Sequence, residues 1–420
     1  MKITAIETVQ LPHLNNIVWV QVHTDDGIVG LGETFRGANA VAAYIHSDIA
    51  PLLVGQNPLE IDRISKLLLE SYVGFRSSGV EIRAASAIDI ALWDIFGKVT
   101  GQPIHQLLGG LSRQSIRTYN TCAGYTYNKS GARRYIGDAD EAKEGPYEDQ
   151  LAFHRDAGAL AESLLSEGIT AMKIWPFDPF AVASGGNFIH AGDLDKALAP
   201  FRQIRDAVGE RMEIMVEFHS MWDLTSALAI ARELKAFRPF WSEDPIKMMN
   251  PQALAVYARQ SGIPVCASET MATRAQFLDV LRADASDYVM LDISWCGGLS
   301  EAKKIATMAE AFQRPIAPHD CTGPVVFAAS VHLSLNAPNA IFQESVRAYY
   351  TSWYRDLVTV MPRIEKGMIY PFEGAGLGLS CLISYSVIPM SFGKRRELND
   401  GTVSLHSRSA RATDGKSGLG

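Results

Sequence analysis

The chain opens with KITAIETVQL, in which apolar and polar residues alternate at the period of a half-buried strand. A second alternating stretch, IVWVQVHTDDGIVGLGETF, carries Asp26-Gly27 at its middle, a dipeptide suited to a hairpin turn. Residues 1 to about 34 are therefore predicted to form a three-stranded meander. From about Ala38 to Gly101 the spacing becomes helical, as in AASAIDIALWDIFGKVTGQP, whose Gly, Gly and Pro are helix-stop signals. The first hundred residues thus read as an α+β unit.

After IRTYNTCAG, short apolar runs alternate with amphipathic helical stretches: GITAMKIWPF, MEIMVEF, PFWSEDP, IPVCASE, DYVMLDI, PIAPHD and AIFQES. Strand followed by helix, repeated in this way, is the pattern of a (β/α) barrel. A doubly wound sheet is the alternative, but no GxGxxG turn follows the first strand. The insert from Tyr125 to Gln150 is expected to be a surface excursion over the strand ends. YPFEGAGLGLS is expected to return to the first domain. The segment beyond Ser380 is rich in Ser, Arg and Gly and carries no recognisable chemistry; its last twenty residues read as disordered.

Composition narrows the class. A chain of 420 residues with 47% hydrophobic and 20% charged residues can bury a large core, as two domains or as a barrel with an appended domain. No apolar run approaches the roughly 18 residues of a membrane helix. The amino terminus lacks the basic start and apolar stretch of a signal peptide, so a cytoplasmic location is expected. Cys122, Cys266, Cys296, Cys321 and Cys381 are scattered with no CxxC pair, which argues against a disulfide framework or thiolate zinc site. A net charge of -7 without a long basic run gives no phosphate-backbone partner, so nucleic acid is not expected.

Barrel enzymes place their chemistry at the C-terminal strand ends. Glu217, Glu243 and Glu269 end three successive predicted strands, 26 residues apart each time. Three converging carboxylates without nearby lysines repel one another unless a cation neutralises them, and an all-oxygen set suits Mg²⁺ or Mn²⁺ better than zinc. The plain alternative is a solvated loop-edge charge at each position. Asp292 and His319 end the two following strands, where the carboxylate could fix the imidazole tautomer and make His319 a general base. By the period-2 rule, His219 shares Glu217's side of its strand and so stands beside the metal as a second proton-transferring group. Glu344 completes the ring, either holding a substrate oxygen or as a rim charge. Lys173 points inward with Trp175, either to stabilise a substrate carboxylate or enolate oxygen or as the buried partner of a strand-end acid. Trp175 is read as pocket wall.

In these residues the chain resembles the enolase superfamily, specifically the acid-sugar dehydratases of the mandelate racemase subgroup. The resemblance rests on GETF, SAIDIALWDIFGKVTGQPIHQLLGG, the three metal-ligand strands, the Asp292/His319 pair and Glu344, and covers nearly the whole chain to about residue 380. It implies an α/β fold, a modified TIM barrel of the (β/α)7β type under an N-terminal α+β capping domain. The corresponding boundaries are 1–115 for the cap, 116–360 for the barrel, 361–380 for a return segment and 381–420 for a tail. It further implies Glu217, Glu243 and Glu269 as Mg²⁺ ligands, Asp292 and His319 as a catalytic dyad, and Glu344 as a stabiliser of the enediolate. Two departures stand out. Where the subgroup often carries Lys-x-Lys, this chain has KIW, which speaks against a lysine-based racemisation. Glu217-x-His219 resembles the galactonate and mannonate dehydratase arrangement, though the ligand there is commonly Asp.

The expected reaction is removal of the C2 proton of a sugar acid by His319, protonation of the C3 hydroxyl by His219 and formation of a 2-keto-3-deoxy acid. Substrate length is expected to be set by the capping loops around YVGFRSSG, with Tyr72 at the substrate and Arg76 either clamping a distal group or facing solvent. An epimerase or cycloisomerase using the same enediolate is the second reading, and a catalytically silent binding relative the third. A homo-oligomer is also implied.

Overall fold

The alternation in the first strands sorts residues between two cores. In β2 (Ile17–Thr24), Val18, Val20 and Val22 pack with the cap's own helices. Ile17 and Trp19, with Leu31 and Phe35 of β3 (Val29–Phe35), join the core that continues into the barrel. Both faces of the meander are therefore covered, and part of the polar half of the pattern, Thr8, Thr24, Glu33 and Thr34, is buried too. β1 (Ile3–Val9), β2 and β3 pair antiparallel, with Ile6 opposite Val22 and Val20 opposite Gly32. The helix Val80–Thr100 lies directly on β3, because a Cβ at Gly32 would come within 1.9 Å of the Ala87 carbonyl oxygen. A computed structural model of the chain describes residues 1–70, 78–128, 146–382 and the backbone of 396–397.

The barrel strands β4 (Ile116–Thr121), β5 (Ala171–Ile174), β6 (Glu213–Glu217), β7 (Trp241–Glu243), β8 (Val265–Ala267) and β9 (Tyr288–Val289) pair in that order and in parallel. The seventh position is a single bridge residue, Ile316, which links Val289 to Ala340. The eighth, β10 (Gln343–Ser345), pairs in parallel with β4 and closes the ring. A short hairpin, β11 (Ile364–Glu365) and β12 (Met368–Ile369), adds to β4 antiparallel. The chain then runs back to the cap, where the N–H groups of Gly376 and Leu377 donate to Gln102 O and Asp94 Oδ1, each at 2.9 Å.

Two expectations change. The insert after β4 does not begin as a surface excursion: Tyr125 and Asn128 are buried, and Asn128 Nδ2 donates to Cys321 O at 2.6 Å. The polar amide is satisfied by the loop after the seventh barrel position, which draws the segment inward. In the tail, β13 (Arg396–Glu397) pairs antiparallel with β1 through backbone hydrogen bonds, which need no side-chain pattern. Its last twenty residues lie outside the described ones. Among the described residues, no helix is long and apolar enough to cross a membrane.

Candidate active site

The inside of the barrel is built in layers. Tyr119, Ala171, Met215, Trp241, Cys266, Met290, Ala317 and Phe342, one residue from each of the eight positions, form an apolar plug. Because side chains on a strand repeat every second residue, the next inward layer toward the C-terminal mouth lies two residues further on. Those residues are Thr121, Lys173, Glu217, Glu243, Ser268, Asp292, His319 and Glu344. The chemistry therefore stands directly on the plug. Only at the fifth position does the step land on a serine, with Glu269 one residue later.

Glu217, Glu243 and Glu269 each present one oxygen within 4.8 Å of the others. Contrary to the expectation of no nearby lysine, Lys173 stands among them. Lys173 Nζ lies 3.4 Å from Glu217 Oε2 and 2.9 Å from Glu344 Oε1, and also pairs with Glu243. The single intervening residue between Lys173 and the plug residue Ala171 directs the lysine into the same layer. Its contacts are those of a buried partner for strand-end acids. Burial pushes Glu217 up to about 7, with the nearby Glu269 adding to the rise and Lys173 opposing it. Burial and then Glu217 lift Glu243 well above the carboxylate range. Although buried, Glu217 Oε2 accepts no hydrogen bond.

His319 and Asp292 lie against each other, with Nδ1 2.6 Å from Asp292 Oδ2. Asp292 is held in turn by Ser294, whose N–H and hydroxyl both donate to Oδ1 at 2.6 Å. The other imidazole nitrogen, Nε2, lies 2.9 Å from Glu269 Oε2. Burial alone would lower the His319 pKa, but Glu269, Glu344 and Asp292 outweigh it and raise it well above the usual value. Burial likewise opposes ionisation of Glu269, but His319, His219 and Lys173 hold it below its usual range. Glu344 also stays low despite burial, through Lys173 and His319 and then hydrogen bonds from the Thr121 hydroxyl and Asp320 N–H.

His219 reaches the site by a different route from the one predicted. β6 stops at Glu217, and His219 and Ser220 have left-handed φ values of 50° and 56°. A turn, not strand alternation, aims the ring; the turn is anchored by the His219 N–H donating to Glu217 Oε1 at 2.6 Å. Tyr127 Oη lies 3.3 Å from His219 Nε2, and Asp178 Oδ2 lies 2.8 Å from Nδ1 but off the hydrogen-bond direction. Trp175 meets the His219 ring edge-on and belongs to the pocket wall.

The site opens into a small cavity with about 20 Å³ of room for water. Sequence reasoning missed several of its residues. Thr121 was findable by the two-residue step from Tyr119. Phe35 ends β3, while Arg36, Tyr127, Trp295 and Cys321 sit in loops and carried no periodic signal. Tyr72 and Arg76 lie outside the described residues.

A parallel eight-position barrel with acids, two histidines and a lysine at one mouth, under an α+β cap, defines a capped-barrel enzyme. The family model "Mandelate racemase / muconate lactonizing enzyme, N-terminal domain" matches residues 3–109, and "Enolase C-terminal domain-like" matches 156–382. The chain belongs to the enolase superfamily and, within it, to the mandelate racemase subgroup. A crystal structure of an enolase of that subgroup from Agrobacterium tumefaciens is 52% identical, covering 96% of this chain and all (100%) of that one, at a TM-score of 0.83. An enolase protein from Sargasso Sea environmental sequencing is 45% identical over 95% of this chain and 99% of that one, at a TM-score of 0.84. Among curated proteins, D-galactonate dehydratase of Pectobacterium atrosepticum is 32% identical over 90% of this chain and 92% of its own length.

Proposed function

We propose that the protein is a Mg²⁺-dependent dehydratase of sugar acids, converting an aldonate, uronate-derived acid or aldarate to its 2-keto-3-deoxy acid. The observation that carries the reading is the placement of two histidines across the barrel mouth. His219 follows the third strand position and His319 occupies the seventh, four positions apart in a ring of eight. One can take a proton while the other gives one. The names of curated relatives such as D-galactonate dehydratase point the same way.

The acidic cluster fits a divalent ion. Its donor set is all oxygen, one atom from each of three carboxylates falls within 4.8 Å of the others, and the buried Glu217 Oε2, with Lys173 Nζ 3.4 Å away, accepts no hydrogen bond. Glu217, Glu243 and Glu269 would hold Mg²⁺, which when bound supplies Lewis-acid stabilisation of the substrate carboxylate as negative charge builds on it.

The chain's own residues supply the remaining steps. His319, its tautomer fixed by Asp292, removes the C2 proton and leaves an enediolate. Lys173, on the second position, places positive charge beside that group, and Glu344 on the eighth takes a hydrogen bond from a substrate hydroxyl. His219 donates a proton to the C3 hydroxyl as the C3–O bond breaks, so one water leaves. The resulting enol takes up a proton at C3 and becomes the 2-keto-3-deoxy acid. Trp175, where a second lysine base would stand, offers no titratable group for racemisation.

The test is a screen of the purified protein with Mg²⁺ against aldonic, uronic and aldaric acids, detecting 2-keto-3-deoxy products with semicarbazide. Dehydration of at least one acid, abolished by EDTA, is expected. Exchange of an α-proton with solvent on some acid, without loss of water from any, would replace the reading with epimerisation or cyclisation.

A further inference from the structure

Three barrel helices bring their own N-terminal caps: Asp156 for Ala157–Ser166, Asp223 for Leu224–Leu234 and Asn250 for Pro251–Ser261 each accept an N–H of the first turn. The two helices that follow the loops of Asp292 and His319 do not. Gly298–Ala311 and Pro324–Asn336 are preceded by Gly297 and Gly323, which have no capping side chain. Their free N–H groups are met by carboxylates of the capping domain. Asp89 Oδ2, on the helix Val80–Thr100, accepts from Ser300 N–H at 2.9 Å. Glu33, on β3, accepts from Val326 N–H at 3.0 Å and Val325 N–H at 3.4 Å, and is held by Trp19 Nε1 at 2.6 Å.

The approach is close enough to require glycine on the barrel side. A Cβ at Gly298 would come within 2.4 Å of Asp89 Cβ, and one at Gly323 within 2.4 Å of Glu33 Oε1. Other cap contacts converge on the first of these loops: Thr34 Oγ1 donates to Ser294 O at 2.9 Å, Trp295 Nε1 donates to Phe35 O at 3.0 Å, and Gly297 N–H donates to Ser86 Oγ at 3.0 Å. Ser294 is the residue that grips Asp292, and the Trp295 ring stacks on His319 at 5.7 Å.

We propose that Glu33 and Asp89 are positioning residues for the Asp292–His319 pair. Each carboxylate caps, from the other domain, the helix that follows one member of the pair, so the pair keeps its geometry only while the cap is seated. The inference rests on His319 being the base. Cap and barrel are thereby coupled at the dyad arm of the mouth, whereas the strand ends bearing Glu217 and Glu243 make no such contact with these two carboxylates.

Hydrogen exchange tests this without a substrate. In Glu33→Ala and Asp89→Ala, amides of the segments 319–328 and 292–302 are expected to exchange about fivefold faster or more, the counterpart of a lost N-cap. Segments 213–219 and 241–246 should be unchanged. Glu33→Gln and Asp89→Asn keep an acceptor oxygen and should restore protection, and they decide the matter if an alanine variant does not fold. With any acid the parent turns over, the alanine variants should lose about tenfold or more in kcat at unchanged KM. Unaltered exchange in both segments, or a uniform rise across the barrel, would overturn the proposal, as would faster local exchange with kcat intact. A parent without turnover would count against His319 as the base and leave the exchange result to judge the caps.

Discussion

At the scale of single residues, the site is a charge-balancing problem in a buried layer. Glu217, Glu243, Asp244 and Glu269 crowd one side of the mouth, and burial lifts Asp244 to about 8 with Glu269 and Glu243 adding to the rise. Lys173 and His319 supply the positive charge. A divalent ion held by the three glutamates would add to it, and ligand binding to the folded state alone stabilises that state by about 2.7 kcal/mol at a hundred times Kd. Saturating Mg²⁺ is therefore expected to raise the melting temperature of the parent and to leave that of Glu217→Gln essentially unmoved. A calorimetric shift equal in both would place the ion elsewhere. Which residues belong to this layer was partly legible in the sequence: Glu217, Glu243, Glu269, Asp292, His319 and Glu344 all stand at the ends of apolar runs. Their partners were not, because Tyr127 and Ser294 come from loops and Asp178 from the first turn of the short helix Asp178–Ser184, and such contacts depend on long-range packing and leave no local period.

At the scale of elements, the barrel's two-residue period decides what reaches the mouth. Met215 lies below Glu217 and Trp241 below Glu243, with Trp241 Nε1 donating to Glu243 Oε2 at 3.0 Å. The plug thus supports the acids both by packing and by a hydrogen bond. Removing a fully buried side chain from it, as in Met215→Ala, should cost about 2–5 kcal/mol in denaturant unfolding. A cost under about 1 kcal/mol would mean the plug is not tightly packed. The alternation that revealed β1 to β3 also failed at one informative place. His219 obeys it numerically, yet the strand has already ended, and a left-handed turn carries the ring to the pocket. Short elements were harder to bound: β9 is two residues and the seventh position a single bridge, so only the apolar runs DYVMLDI and PIAPHD announced them.

At the scale of the whole molecule, histidines outside the acid layer tie stability to pH. His332, in the helix Pro324–Asn336, lies with Nε2 3.1 Å from Leu377 O in the return segment and its other nitrogen 3.1 Å from His105 Nδ1. Burial pushes His332 down to about 3 and His154 to about 4. In the unfolded chain each takes a proton near pH 6.5, a proton the fold refuses. Their contribution is therefore present above that pH and is lost as pH falls toward 4, by up to about 1.4 kcal/mol per pH unit for each group. Glu33 acts with the opposite sign: raised from 4.5 to about 8 by burial, it favours the fold at low pH and loses that contribution as pH rises from 4.5 through 8. The difference between parent and His332→Gln isolates the histidine, and the variant is expected to show the shallower loss of unfolding free energy between pH 6.5 and 4. Equal slopes would show that His332 is protonated in the fold.

The division of labour between the two histidines is the most exposed part of the account, and proton NMR in D₂O with Mg²⁺ and a sugar acid that the parent dehydrates reads it directly. His319→Asn is predicted to lose both α-proton exchange and dehydration, by about 10²-fold or more. His219→Asn is predicted to keep exchanging the α-proton while losing dehydration, because the enediolate still forms but the C3 hydroxyl lacks its proton donor. Dehydration at the parent rate by His319→Asn, or loss of exchange together with dehydration in His219→Asn, would contradict the assignment of base and acid across the barrel mouth.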